Sequence, residues 1–196
     1  CETRIVPEIR KFKKEFHFAH CPERAIPGNT LSEMVNNVRV VGGLTSDGSK
    51  IVKRLYSTFV KGDIYTTTPN VAAAAKVMEN TYRYVNIALA NEFAKIAEEL
   101  NFNVWEAIEL ANKHPRVNIH QPGPGVGGHC IPIDPWFFVG ASPGVKLIKT
   151  AGIINESMPH YIAKKIEKFA KKYNLDRPTI GILGYAYKKN VDYLRE

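Results

Sequence analysis

The chain has 196 residues, 44% of them hydrophobic and 23% charged, the balance of a folded globular protein rather than a disordered or fibrous one. At about 100–200 residues per domain, this length holds one domain or pieces of two. No apolar run reaches the roughly 18 residues of a membrane span, and no secretory leader is expected. Three cysteines without a CxxC pair argue against a disulfide scaffold and for the reducing cytoplasm.

The net charge of +8 favours anionic partners. Much of it lies in Lys11, Lys13 and Lys14 and in Lys164, Lys165, Lys168, Lys171 and Lys172. The second group falls on the solvent side of an amphipathic pattern, and aromatic residues are not interleaved with either group. The expectation is therefore a solvated helix face and a phosphorylated metabolite as partner, with no nucleic acid and no membrane. The chain starts at Cys1 rather than Met and stops inside a charged cluster at Glu196, so it is expected to be a piece of a longer protein.

In chain order, Thr3 to Phe12 suits a helix, Phe16 to Ala19 a strand, and Val38 to Val41 a fully buried strand. Ser46-Asp47-Gly48 opens a helix through Phe59, and Ile64 to Thr66 forms a third strand after a Gly62-Asp63 turn. Strand, helix and strand at this spacing predict a βαβ unit in a parallel sheet, with no GxGxxG loop inside it. Thr68-Pro69-Asn70 starts a long helix, with Pro tolerated in its first turn. It runs from Val71 to about Leu100 without Gly or Pro, and Asn101 ends it. Asn103 with Glu106 opens another helix that stops before Pro115.

His114 to Gly144 carries six Pro and six Gly, and long irregular segments of this kind are often functional. A last long helix is predicted from Val145 to Tyr173, bent at Pro159. Asp176-Arg177-Pro178 reads as a linker and Thr179 to Leu183 as a buried strand that opens a further α/β domain.

The segment Gly123-Pro124-Gly125-Val126-Gly127-Gly128-His129-Cys130-Ile131-Pro132-Ile133-Asp134-Pro135-Trp136 carries the sharpest chemistry. Its glycines let backbone N–H groups approach a ligand. Asp134-Pro135 reads as a helix cap, so Cys130 precedes a helix N-terminus, whose positive end favours a thiolate nucleophile. A small buried Cys in a Gly-rich turn is the competing reading, and both stand at this point. Lys76, Asn80 and Arg83 share one helix face by spacing. They are either an oxyanion-stabilising group beside a cysteine or an exposed polar stripe. Adjacent His20-Cys21 and His129-Cys130 lack zinc-ligand spacing, so no metal is expected.

Taken in order, Cys21-Pro22-Glu23-Arg24 with Pro27-Gly28, Lys76-x₃-Asn80-x₂-Arg83, Gly127-Gly128-His129-Cys130-x₃-Asp134, and Gly184-x-Ala186-Tyr187-Lys188-Lys189 with Arg195-Glu196 resemble the UDP-glucose/GDP-mannose dehydrogenase family along essentially the whole chain. Gly-Gly-His-Cys is more similar to its UDP-N-acetylhexosamine branch. The resemblance implies an α/β fold with an all-α central domain. Residues 1–68 would be the C-terminal part of an NAD-binding Rossmann domain and 69–176 a helical dimerising and catalytic domain. Residues 177–196 would be the start of a UDP-binding Rossmann-like domain. The cofactor implied is NAD and the substrate a UDP-N-acetylhexosamine, UDP-N-acetyl-D-mannosamine favoured, in a homodimer or higher homo-oligomer.

The implied reaction is a four-electron oxidation of the sugar C6 alcohol to a carboxylate through a Cys130 thiohemiacetal and thioester. By the same resemblance Lys76 and Asn80 stabilise the alkoxide and transfer protons, Asp134 is the carboxylate beside the nucleophile, and Glu23 belongs to the hydrolytic stage. Arg24, Arg83, His114, Arg116, Gly127, Tyr187 and Lys188 fall at nucleotide-sugar contacts, Arg116 from its own or the neighbouring subunit, and Arg195 at an NAD contact. Tyr185 and Tyr193 depart from the residues common in the family. This piece alone is expected to be inactive. The alternatives are a helical dimerisation or assembly module without catalysis, or UDP-N-acetylglucosamine or UDP-glucose as substrate.

Overall fold

A computed structural model describes residues 2–13, 15–26, 28–184 and 186. The chain divides into two compact units, one ending at Met78 and the other beginning at Glu79. In the first, a three-stranded sheet has the order β1 (Ala19–His20), β2 (Arg39–Gly43), β3 (Ile64–Thr67). Helices α1 (Ile5–Phe12) and α2 (Thr30–Asn36) precede β2, and α3 (Ser46–Tyr56) crosses from β2 to β3. β2 and β3 are parallel, with Arg39 opposite Ile64 and Gly42 opposite Thr67. This is the expected βαβ unit. Its helix starts where the sequence places it because the Thr45 hydroxyl accepts the Gly48 N–H at 3.1 Å, capping the first turn.

Two local expectations are corrected. The first strand is not Phe16 to Ala19 but Ala19–His20, antiparallel to β2, with Ala19 opposite Gly43 and His20 opposite Gly42. The partner strand sets the register, which periodicity in a short apolar run does not encode. Helix α2 was not anticipated, since turn-forming residues flank it on both sides. Glu33 holds it together: its carboxylate accepts the Ile26 N–H at 3.0 Å and the Asn37 amide at 3.3 Å.

Helix α4 (Pro69–Leu100) runs through the boundary between the units. Asn101 ends it as expected, in the left-handed region at φ 55°, while the Phe102 N–H reaches back to the Ala97 carbonyl. In the second unit, α5 (Val104–Ala111) is capped by the Asn103 side chain, which accepts from the N–H groups of Trp105 and Glu106. A loop leads to α6 (Asp134–Ala141), and α7 (Leu147–Lys172) continues through Pro159. The core of this unit is Tyr84, Ala88 and Ala151, with Val85, Val126, Ile131 and Ile154 packed against them.

The expected strand from Thr179 to Leu183 does not form; Ile182 and Leu183 are 83% and 101% exposed. An extended segment becomes a buried strand only when neighbours take its backbone hydrogen bonds, and no described residue pairs with this one. Among the described residues no helix is long and apolar enough to cross a membrane.

Candidate active site

Two hydrophobic side chains position the Gly-rich segment. Val126 and Ile131 both pack onto the Tyr84–Ala88–Ala151 cluster, so the intervening Gly127–Cys130 turn is anchored at both ends. Gly128 adopts φ +87°, a conformation that strains any residue with a Cβ. The buried-cysteine reading is overturned: Cys130 is exposed and its thiol is free. Its carbonyl accepts the N–H of Asp134 at 2.8 Å, tying the turn to the start of α6.

Asp134 is not the cap that the sequence suggested. Ile133 occupies the cap position without a side-chain bond, and the Asp134 carboxylate instead accepts the Asn80 amide at 2.6 Å. A carboxylate acceptor makes this bond stronger than one between neutral groups. Asn80 is 6% exposed, so the competing picture of an exposed polar stripe fails at this residue. Lys76, half-buried, stands one turn earlier on the same helix. Arg83 is exposed, and its charge, after burial, helps to push the His120 imidazole below its ordinary pKa.

After α5, the Asn112 side chain accepts the Ile119 N–H at 2.7 Å and donates to the Ile119 carbonyl at 3.0 Å, which closes the intervening loop. His114 and Arg116 lie in that loop and touch: the Arg116 N–H donates to His114 Nδ1 at 3.3 Å. The structure thus brings Asn80 to Asp134, whose N–H is bonded to the Cys130 carbonyl, and His114 to Arg116. Glu23 and Arg24 belong to the first unit. There the Glu23 carboxylate accepts the N–H groups of Arg24 and Ala25, both at 2.7 Å. Tyr187, Lys188 and Arg195 lie outside the described residues.

Sequence reasoning missed a buried amide relay. Asn91, fully buried, accepts the Gly123 N–H at 2.9 Å and donates to Asn155 Oδ1 at 2.9 Å; Asn155 donates to the Tyr84 carbonyl at 3.1 Å. The signal was available: Asn91 falls on the same helical stripe as Tyr84 and Ala88, where an amide must be hydrogen-bonded. Sequence reasoning also missed Arg39, an arginine at an inward position of β2. Among the described residues no group of three His, Cys, Asp or Glu side chains could hold a metal ion.

A nicotinamide dinucleotide can be tested against the first unit. At the carboxyl ends of β2 and β3 a crevice of about 530 Å³ is lined by Gly43, Thr45, Ser49, Lys53, Thr66 and Thr68 among others, the place where parallel sheets take nucleotides. A Cβ on Gly43 would come within 2.1 Å of Ser49 Oγ, so only glycine lets α3 approach the strand end. These residues fit one side of a dinucleotide site. The letters Gly123-x-Gly125-x-x-Gly128 do not supply its diphosphate loop, because they follow helix α5 and a loop rather than a strand.

Two family models match. Residues 70–157 match the central domain of the UDP-glucose/GDP-mannose dehydrogenase family and residues 2–60 match its NAD binding domain. The chain belongs to the UDP-glucose/GDP-mannose dehydrogenase family. It is 58% identical over 192 residues to the UDP-N-acetyl-D-mannosamine dehydrogenase of Methanocaldococcus jannaschii, covering 98% of this chain and 44% of that protein. It is 47% identical to the NDP-N-acetyl-D-galactosaminuronic acid dehydrogenase of Ralstonia nicotianae, covering 97% of this chain and 45% of the relative. The native structure of the UDP-N-acetyl-mannosamine dehydrogenase from Staphylococcus aureus superposes with a TM-score of 0.85 at 45% identity, over 98% of this chain and 46% of that one. The chain spans about half the length of the curated relatives it matches. The fold expected from the sequence, a Rossmann-type α/β layer with a helical central domain, is that of these relatives.

Proposed function

We propose that the intact protein carrying this chain is an NAD-dependent nucleotide-sugar 6-dehydrogenase. It would oxidise the C6 alcohol of a UDP-N-acetylhexosamine, UDP-N-acetyl-D-mannosamine foremost, to the uronic acid. The observation that supports this reading best is the 2.6 Å bond from Asn80 to Asp134, four residues after an exposed cysteine. The names of the relatives at 58% and 50% identity support the choice of sugar.

Cys130 is the nucleophile: its sulfur adds to the C6 aldehyde, and the resulting thiohemiacetal is oxidised to a thioester that water cleaves. Bound NAD supplies the hydride acceptor for both oxidations. Lys76 and Asn80 stabilise the alkoxide and move its proton; Asp134 takes one of the two amide hydrogens of Asn80 and leaves the other for the reacting oxygen. Glu23 takes a proton from water in the hydrolytic step. Arg24, Arg83, His114, Arg116, Gly127, Tyr187 and Lys188 bind the nucleotide sugar, and Arg195 contacts NAD. The crevice at the ends of β2 and β3 holds part of the dinucleotide, whose diphosphate loop this chain does not contain; the isolated chain is accordingly inactive.

The protein works as a homodimer or higher homo-oligomer through its central helices. Tyr82, Leu89, Ile96 and Leu100 of α4 are 56%, 40%, 38% and 68% exposed, at spacings of seven, seven and four that keep them on one helix face. It acts in the cytoplasm. The test is product analysis with UDP-N-acetyl-D-mannosamine, its glucosamine epimer and UDP-glucose. Two NADH per uronic acid with the first substrate, and no acid from Cys130→Ser, are expected. Acid formation by Cys130→Ser at the wild-type rate overturns the nucleophile; faster turnover of either other sugar overturns the substrate.

A further inference from the structure

The first unit holds a buried cation that no role above uses. Arg39, the first residue of β2, is 3% exposed. Its Nη1 donates to both oxygens of Glu23, at 2.9 and 2.8 Å, and its Nη2 donates to the Met34 carbonyl at 3.1 Å. The guanidinium carbon lies 5.6 Å from the centre of the Tyr56 ring. Arg39 Nε is buried with no hydrogen-bond partner among the described residues. A buried ion with an unsatisfied donor is a poor device for stability, and an apolar side chain of similar shape commonly does as well. The arrangement calls for another explanation.

The two oxygens of Glu23 are used unequally. Oε1 accepts three bonds, from the N–H groups of Arg24 and Ala25 and from Arg39. Among the described residues Oε2 accepts one, from Arg39, which leaves it room for a further donor. The Glu23 side chain is 51% exposed, so that room is open to water. We propose that Arg39 is a positioning residue, which holds Glu23 as a carboxylate with Oε2 free to accept a proton from water. This rests on the reading of Glu23 given above as the base of the hydrolytic step. In that step water adds to the thioester carbon, its proton passes to Oε2, the C–S bond breaks, and the Cys130 thiolate leaves with the acid released.

The ionisation of neighbouring groups agrees. Burial alone would raise the Glu23 carboxyl, but the Ala25 N–H, Arg39 and the Arg24 N–H together hold it below its ordinary value. Facing the pair are Tyr56 of α3, raised first by burial, and Cys21, raised by burial against the opposing effects of Tyr56 and Arg39. Arg24 is the other adjacent cation. Both acids being raised, the charges at this place among the described residues are Glu23, Arg39 and Arg24.

The experiment uses the intact enzyme, with stopped-flow NADH formation, mass analysis of Cys130 and acid yield. Arg39→Met is expected to keep the first burst of NADH, accumulate thioester on Cys130, and lower steady-state acid formation on the order of 10²-fold, a general base's usual share. Loss of the guanidinium raises the Glu23 pKa, so the acid limb of the rate profile moves to higher pH. Adding Arg39→Met to Glu23→Gln should cost less than about twofold more, since the two act as one unit. If Glu23→Gln turns over at the wild-type rate, the reading of Glu23 fails. If Glu23→Gln is slow while Arg39→Met is not, or the two losses multiply, or the acid limb stays in place, Arg39 has no positioning role and Glu23 keeps its own. Should Arg39→Met not fold, Arg39→Lys decides: it keeps the charge without the Met34 anchor, so an unmoved acid limb with a slower steady state is expected. A wild-type rate overturns the proposal.

Discussion

Asn80 donates to Asp134 at 2.6 Å across 54 positions of sequence, joining the middle of α4 to the first residue of α6. Asn80 is nearly buried, so removing its acceptor strands a donor away from water. Asp134→Ala is expected to lower unfolding stability by about 1–3 kcal/mol, read from the urea midpoint at unchanged slope. A midpoint equal to wild type would mean that the bond has no net worth in solution.

The amide relay gives a second expectation. Asn91→Leu leaves the Gly123 N–H and Asn155 Oδ1 without partners, which should cost about 2–4 kcal/mol when two buried groups are orphaned. Hydrogen exchange should speed up in the segment from Gln121 to Cys130 before the rest of the second unit. Uniform acceleration across the unit would argue that Asn91 stabilises the bundle without any special hold on the loop.

Gly152 of α7 faces Trp136. A Cβ there would lie 2.8 Å from Trp136 Cζ2, and an indole ring has no flexible end to move aside. Gly152→Ala should gain about 0.5–1 kcal/mol of helix preference and lose about 1–3 to overpacking, with a net fall in thermal midpoint. Adding Trp136→Phe should recover part of it. A rise in midpoint for the single substitution would show that α6 slides freely on α7.

Tyr161 of α7 donates its hydroxyl to Glu98 of α4, which also pairs with Lys165 at 2.9 Å. Burial and the Glu98 hydrogen bond push the Tyr161 phenol up from 10.0 to about 12. The Tyr161 and Lys165 hydrogen bonds hold Glu98 below its ordinary 4.5. A raised acid stabilises the fold fully below its unfolded value, and that contribution is lost as pH rises from 10 towards 12. A lowered carboxyl contributes above its unfolded value and loses this as pH falls below 4.5. The stability gap between wild type and Tyr161→Phe should therefore be widest between about pH 5 and 9.5 and shrink on both sides. A gap flat with pH would contradict the hydrogen bond.

For assembly, Leu89→Arg places a charge in the exposed apolar row of α4. Light scattering should show a smaller particle than wild type at equal concentration. An unchanged mass would move the interface to another surface.

The local elements were legible in the residues themselves. Thr45 and Asn103 cap their helices, Asn101 takes the left-handed turn that ends α4, and a three-to-four spacing puts Lys76, Asn80 and Arg83 on one face. Each of these depends on neighbours within one or two turns, so the order of side chains is enough. The Gly-Gly-His-Cys turn was legible for the same reason: glycine marks positions that a side chain would strain.

Tertiary structure decided what depends on distant partners. Asp134 looked like a cap, yet its carboxylate serves Asn80, because a buried amide brought close competes for the same oxygens. The first strand slid to Ala19–His20 because the edge of β2, not its own apolar pattern, supplies the hydrogen bonds. Thr179 to Leu183 has the composition of a strand and stays unpaired among the described residues, since a strand exists only in a ladder. Arg39 beside Glu23 is the clearest case. Its position on β2 was written in the sequence, but only folding brings a carboxylate sixteen residues away to a buried cation that holds it.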